Sequence, residues 1–221
     1  MMMDERMIAF IQSMDKGNSL FLTELEQEAL QEGVPIIRPD VQSLLRFLLA
    51  LTKPRNILEV GTAVGFSAIL MAENTAADCR ITTIEKYEKR IPRAKKNFAA
   101  SGYEDRITFL EGDAAGILPG LDEGCDLIFM DAAKGQYLHF LPQVKRLLAE
   151  GGLLISDNVF QEGEILESRF AVERRNRTIH SRMREYLFSL THDEELETVI
   201  LPVGDGVTLS VKRERNVTEK Q

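Results

Sequence analysis

Between residues 56 and 156 short apolar runs alternate with helical stretches, and this alternation leaves the chain few folds to adopt. Asn56 to Val60, Arg80 to Ile84, Ile107 to Leu110, Leu127 to Met130 and Leu153 to Ser156 read as strands. Ser67 to Glu73, Lys89 to Ala100, Ala114 to Leu118 and about Gln136 to Ala149 read as the helices between them. Such repetition is the signature of a parallel sheet covered by helices on both faces. After a helix from about Thr178 to Leu190, two β-rich runs, Thr198 to Val203 and Gly206 to Lys212, are joined through Gly204-Asp205-Gly206. That join predicts a hairpin, so the expected fold is α/β: a doubly wound, mostly parallel seven-stranded sheet with an antiparallel C-terminal hairpin and N-terminal helices.

A chain of 221 residues is long enough for one well-buried domain, and residues 1–221 are expected to form a single one. Residues 1–53 read as its helical N-terminal segment, 54–212 as the core and 213–221 as a polar tail expected to fray. In the N-terminal segment, Arg6 to about Glu32 carries one helical pattern that Gly33 ends. Pro39-Asp40 opens a second helix, with Val41, Leu44, Leu45, Leu48 and Leu49 as its buried stripe, and Lys53-Pro54 closes it. Apolar residues make up 44% and charged residues 28%, a globular balance. No apolar run approaches the ~20 residues that span a bilayer, and the opening residues lack the pattern of a signal peptide, so a cytoplasmic protein is expected. The net charge of -8 argues against indiscriminate coating of nucleic acid, though a local basic patch is compatible with it. Cys79 and Cys125 fall at no metal-ligand spacing and read as packing residues, and none of the three histidines stands at a ligand spacing.

Several acids close apolar runs, which places them at the strand ends where open parallel sheets bind ligands. Asp131 follows Leu127 to Met130, Asp157 follows Leu153 to Ser156, and Asn158 and Lys134 lie beside them. Three hard oxygen ligands with a lysine nearby suit a magnesium (or manganese) ion with a built-in base. The first strand runs into Gly61-Thr62-Ala63-Val64-Gly65, where two glycines allow a sharp turn and a close approach of ligand to backbone. Ala63 stands where a dinucleotide fingerprint needs its second glycine, which argues against an NAD-linked oxidoreductase. Glu59, just before the turn, suits an ammonium group better than a phosphate. Glu85 can accept from ribose hydroxyls, and Asp113, in Gly112-Asp113-Ala114, from an adenine amino group.

Glu59 to Ser67, Ile84-Glu85, Gly112-Asp113-Ala114, Asp131-Ala132-Ala133-Lys134 and Asp157-Asn158 together resemble the S-adenosylmethionine-dependent, divalent-metal O-methyltransferases of the catechol and caffeoyl-coenzyme A type. The resemblance runs in order from about Val34 to Lys212 and implies a Rossmann-like class I methyltransferase fold. It implies Val34, Glu59, Gly61, Thr62, Ser67, Glu85, Asp113, Ala114 and Asp131 as cofactor contacts. Asp131, Asp157 and Asn158 would be the metal ligands, Lys134 the catalytic base, and a homodimer the assembly. Lys134-Gly135-Gln136-Tyr137 and Pro202-Val203-Gly204-Asp205-Gly206 are further similar to the bacterial branch that methylates 5-hydroxyuridine in tRNA.

The metal site does not separate a catechol from 5-hydroxyuridine, since both present two adjacent oxygens. Six arginines between Arg169 and Arg184 interrupt an otherwise acidic chain, and Arg174, Arg175 and Arg177 are candidate RNA contacts. Phe160, Phe170 and Tyr137 are candidates for stacking on a base. The expectation is a tRNA wobble-uridine O-methyltransferase making 5-methoxyuridine. A methyltransferase of small catechol or phenylpropanoid hydroxyls is the alternative, ahead of a non-catalytic nucleotide- or RNA-binding module.

Overall fold

The structure, a computed structural model, describes residues 5–214; the first residues, read for a leader, and residues 215–221 of the tail expected to fray lie outside them. Seven strands form one sheet: β1 (Asn56–Val60), β2 (Arg80–Glu85), β3 (Ile107–Glu111), β4 (Cys125–Met130), β5 (Leu148–Ser156), β6 (Leu196–Leu201) and β7 (Val207–Lys212). Their spatial order is β3-β2-β1-β4-β5-β7-β6. Pairs among the first five are parallel, while β7 runs antiparallel to both β5 and β6. The chain leaves β1 toward one edge and returns at β4 toward the other, so a topological switch point lies between β1 and β4.

Both sheet faces are covered, which is why the central strands are apolar at nearly every position. Ile57, Leu127, Phe129 and Ile155 point into one core with Leu22 and Leu25 of α2 (Leu20–Gln31), Leu45 and Leu49 of α3 (Pro39–Thr52), Ile69 of α4 (Phe66–Glu73) and Phe98 of α5 (Ile91–Ser101). Their neighbours Leu58, Ile128, Met130 and Leu154 point into the other, with Tyr137, Phe140 and Val144 of α7 (Tyr137–Leu147) and Met183, Tyr186 and Leu190 of α8 (Arg177–Thr191). A short α6 (Ala114–Ile117) follows β3.

Several boundaries differ from the sequence expectation. The single helical pattern from Arg6 to Glu32 is two helices, α1 (Glu5–Ser13) and α2. Between them Gly17 adopts φ +74°, and Arg46 donates to Asp15 (2.5 Å) and Asn18 (2.7 Å), pinning the break onto α3. The helix expected to reach Ala149 ends at Leu147, because the backbone turns extended at Leu148 (φ -69°, ψ 128°), and β5 begins there. The sixth strand, expected over Thr198 to Val203, occupies Leu196–Leu201, with Pro202 beyond its end.

Candidate active site

A cleft of about 580 Å³ opens over the carboxyl ends of β1, β2, β3, β4 and β5, at the switch point. Its walls bring together Gly61, Glu85, Asp113, Ala114, Asp131, Lys134 and Asn158, residues contributed by separate strand ends. Gly61 makes this convergence possible. Its φ is +110°, and a Cβ there would stand 2.1 Å from the Asp131 carbonyl oxygen, so only glycine lets the turn after β1 lie against the end of β4. The Gly61 and Thr62 amides donate to the Ile84 carbonyl (3.0 and 3.2 Å), locking the same turn to β2.

Glu85 organises the loop mouths. One carboxylate oxygen accepts the Ala63 amide (2.7 Å) and the other the Tyr87 amide (2.8 Å). Each oxygen keeps a second lone pair free for a ligand hydroxyl. Asp113 both caps and lines the cleft: its carboxylate accepts the Ala115 amide (2.9 Å) at the start of α6 and pairs with Lys86 (3.3 Å). The Ala115 amide, with help from the Lys86 charge, holds its pKa below the ordinary carboxylate value.

Asp131, Asp157 and Asn158 adjoin one another at the ends of β4 and β5. The Asn158 amide group donates to Asp131 Oδ1 (3.0 Å), and Asp157 Oδ1 accepts the Asn158 backbone N–H (2.7 Å). Asn158 adopts φ +58°, a left-handed conformation that asparagine tolerates and that seats its side chain on the cleft. Asp157 lies behind the wall, almost fully buried. Burial, followed by the charge of Asp131, raises its pKa to about 7. Burial also raises Asp131, against the opposing effects of the Asn158 hydrogen bond and the charges of Lys134 and Arg90. A buried carboxylate and a half-buried one that repel each other, beside an asparagine amide, are a donor set that a hard divalent cation fits, since its charge offsets the repulsion.

Other sequence candidates stand elsewhere. Glu59, expected to face an ammonium group, has no exposed surface: its oxygens accept from the Ser67 and Thr83 hydroxyls, and Thr62 hydrogen-bonds Thr83 in turn (2.6 Å). Glu59, Thr62 and Ser67 thus brace the floor of the turn after β1 rather than line the cleft, and Val34 packs against the core while the following Pro35 to Arg38 reach the wall. Tyr137 cannot stack on a base, because it is buried with its hydroxyl on the Met130 and Asp157 carbonyls (3.1 and 2.9 Å). Arg174, Arg175 and Arg177 are outside the cleft wall, on the loop before α8 and at its first turn. Arg177 donates to the Val172 and Phe170 carbonyls and shapes that loop, and Arg175 pairs with Glu173 (2.7 Å). Lys86, Tyr87, Arg90, Phe140 and Glu162, all on the cleft wall, had no place in the sequence reading, while Gln136 and Asp205, also on the wall, entered it only within the motifs similar to the tRNA-methylating branch and without a role. For Asp205 a signal existed in the Gly204-Asp205-Gly206 turn; for Glu162 none did.

The profile of the O-methyltransferase family matches residues 12–213. A catechol O-methyltransferase of Niastella koreensis is 35% identical over 143 residues, 62% of this chain and 65% of that protein. Caffeoyl-CoA O-methyltransferase 1 of Eucalyptus globulus is 33% identical over 180 residues, 77% of this chain and 72% of that protein. Among solved structures, the SAH-bound methyltransferase PaMTH1 of Podospora anserina superimposes with a TM-score of 0.84 at 27% identity, covering 95% of each chain. With its acids gathered at the switch point of a matching sheet, the chain belongs to the O-methyltransferase family, as an enzyme that takes its methyl group from S-adenosylmethionine.

Proposed function

We propose that the protein methylates the 5-hydroxyl of 5-hydroxyuridine at the wobble position of tRNA, giving 5-methoxyuridine. The observation that carries this reading is the segment from Phe160 to Asn176. At one end it lines the cleft through Glu162; farther along the same segment Phe170, 85% exposed, and Arg169, Arg174 and Arg175 are exposed. An exposed aromatic ring and exposed guanidinium groups on a segment that begins at the cleft suit a splayed nucleotide and its phosphates. Arg182 of α8 donates to the Gly135 carbonyl (3.2 Å), one residue from Lys134, so the arginine-bearing helix is tied to the cleft rim.

Asp131, Asp157 and Asn158 would hold a magnesium or manganese ion, which when bound supplies the charge that draws two neighbouring substrate oxygens in and acidifies the hydroxyl. Lys134, as the free amine, takes the hydroxyl proton. The oxygen then bonds to the methyl carbon while the carbon–sulfur bond breaks and sulfur keeps the electron pair, leaving S-adenosylhomocysteine. Glu85 and Asp113 hold the ribose and the adenine amino group. Holding donor and acceptor in line supplies much of the rate for such a transfer.

The test is transfer of label from methyl-labelled S-adenosylmethionine to tRNA bearing 5-hydroxyuridine, beside the same reaction on a catechol. The tRNA reading expects turnover that falls steeply with salt, because phosphate contacts release counterions. Turnover on the catechol alone, indifferent to salt, overturns it and favours a small-molecule acceptor of the kind named for the Niastella relative. Such a tRNA enzyme works in the cytoplasm. The assembly is proposed to be a homodimer, because Phe10, Ile11, Leu20, Phe47 and Leu51 leave a broad apolar surface on α1, α2 and α3.

A further inference from the structure

The turn Gly204-Asp205-Gly206 has no part in the donor, metal or base assignments, yet it is built in against the cleft from two sides. On one side the Gly204 amide donates to Asp40 Oδ2 (2.8 Å), and a Cβ on Gly204 would lie 2.5 Å from Val41 at the start of α3. On another, a Cβ on Gly206 would lie 2.4 Å from the Phe160 ring. With φ of +59° and +82°, both glycines occupy conformations that admit this wedging, and the residue between them is thrust into the cleft.

Asp205 has a side chain only 6% exposed, and each of its acceptors is used. Its carbonyl accepts the Phe160 amide (2.8 Å), Oδ1 accepts the Glu162 amide (2.7 Å), and Oδ2 pairs with Lys134 Nζ (3.3 Å). The segment it grips is strained: Gln161 and Glu162 are both left-handed, at φ +54° and +56°. Such conformations are disfavoured for residues that carry side chains and persist where their surroundings hold them. One buried carboxylate therefore holds both a lysine and a loop of the cleft wall.

We propose that Asp205 is a positioning residue for methyl transfer, aiming the Lys134 amine with one carboxylate oxygen and holding the Glu162 loop with the other. It touches neither cofactor nor reacting atoms. When Lys134 receives the acceptor's proton, the ammonium so formed already faces a buried carboxylate that offsets its charge, as an aspartate orients and supports the base in other acid–base sites. This inference rests on the methyl-transfer reading of the cleft with Lys134 as base.

The variant Asp205→Asn separates the two oxygens' work, because the amide oxygen still accepts from Glu162 while the charge facing Lys134 is gone. With full-length protein, magnesium and the acceptor the parent turns over, Asp205→Asn lowers kcat roughly 10- to 100-fold. The acceptor KM, the dissociation constant for S-adenosylmethionine and the Tm stay close to the parent's. In a Lys134→Ala background the same change has no further effect on kcat, since the residue acts through the lysine. A parental kcat in Asp205→Asn, a loss that only tracks a lowered Tm, or losses that multiply in the double variant would each overturn the proposal. Absence of transfer by the parent to either acceptor would instead overturn the methyl-transfer reading beneath it.

Discussion

Glu59 is sealed beneath the cleft with its two oxygens on hydroxyl groups, and burial is the first cause that raises its pKa to about 7 from an ordinary 4.5. The opposing hydrogen bonds from Ser67 and Thr83 are outweighed, and the charges of Asp131 and Glu85 add to the rise. Between those two values the folded protein keeps a proton that the unfolded chain has released, so stability falls as pH rises through that window and levels off above it. Glu59→Gln stays neutral throughout. Its thermal stability relative to the parent should therefore improve between about pH 5 and pH 8, by on the order of 3 kcal/mol at most. A difference that is the same at both pH values would show that Glu59 carries no such load. Residues such as Asp131 and Glu85 were legible in the sequence because each ends an apolar run, and a strand end is a place. The depth of Glu59 was not legible, since the hydroxyls of Ser67 and Thr83 come from α4 and β2 and nothing local announces them. Asp205 and its partner Lys134 are 71 positions apart, a pairing that only the folded sheet makes.

At the scale of elements, the tight junction is between the end of β1 and the end of β4, where Asp131 N–H donates to the Val60 carbonyl (3.0 Å) and Gly61 lies against Asp131. A methyl group at position 61 has no room and a disfavoured φ, so the two strand ends must part. Gly61→Ala should lower stability by about 3 kcal/mol or more, measured by thermal or denaturant unfolding, and weaken binding of S-adenosylmethionine. A variant with parental stability and affinity would mean that the junction yields cheaply. Strands and helices between residues 56 and 156 were readable because the apolar period differs between the two kinds of element. The break between α1 and α2 was not, because apolar residues on both sides continue a helical pattern; what stops the helix is Gly17 and the grip of Arg46 on Asp15 and Asn18. Pairing of β7 between β5 and β6 was only partly readable: the hairpin was visible, but the insertion of its second strand beside β5 depends on which sheet edge is open.

For the whole molecule, a doubly wound sheet with two apolar layers brings the functional strand ends to one rim, and the arginine-bearing loop before α8 extends from that rim. No helix among the described residues is long and apolar enough to cross a membrane. The apolar residues exposed on α1, α2 and α3 suit an interface, and a second copy of the chain is the partner proposed for it. Sedimentation should report twice the mass of one chain, and replacing Phe10 and Phe47 by serine should return it to one. A monomeric parent would remove the homodimer from the account. The most direct test of the central claim is analysis of the nucleosides released from tRNA after reaction with labelled S-adenosylmethionine and magnesium. A wobble-uridine O-methyltransferase should place label in 5-methoxyuridine at that position, and less of it when Asp131 is replaced by alanine. Label at another atom of the tRNA, or none there while a catechol is methylated, would contradict it.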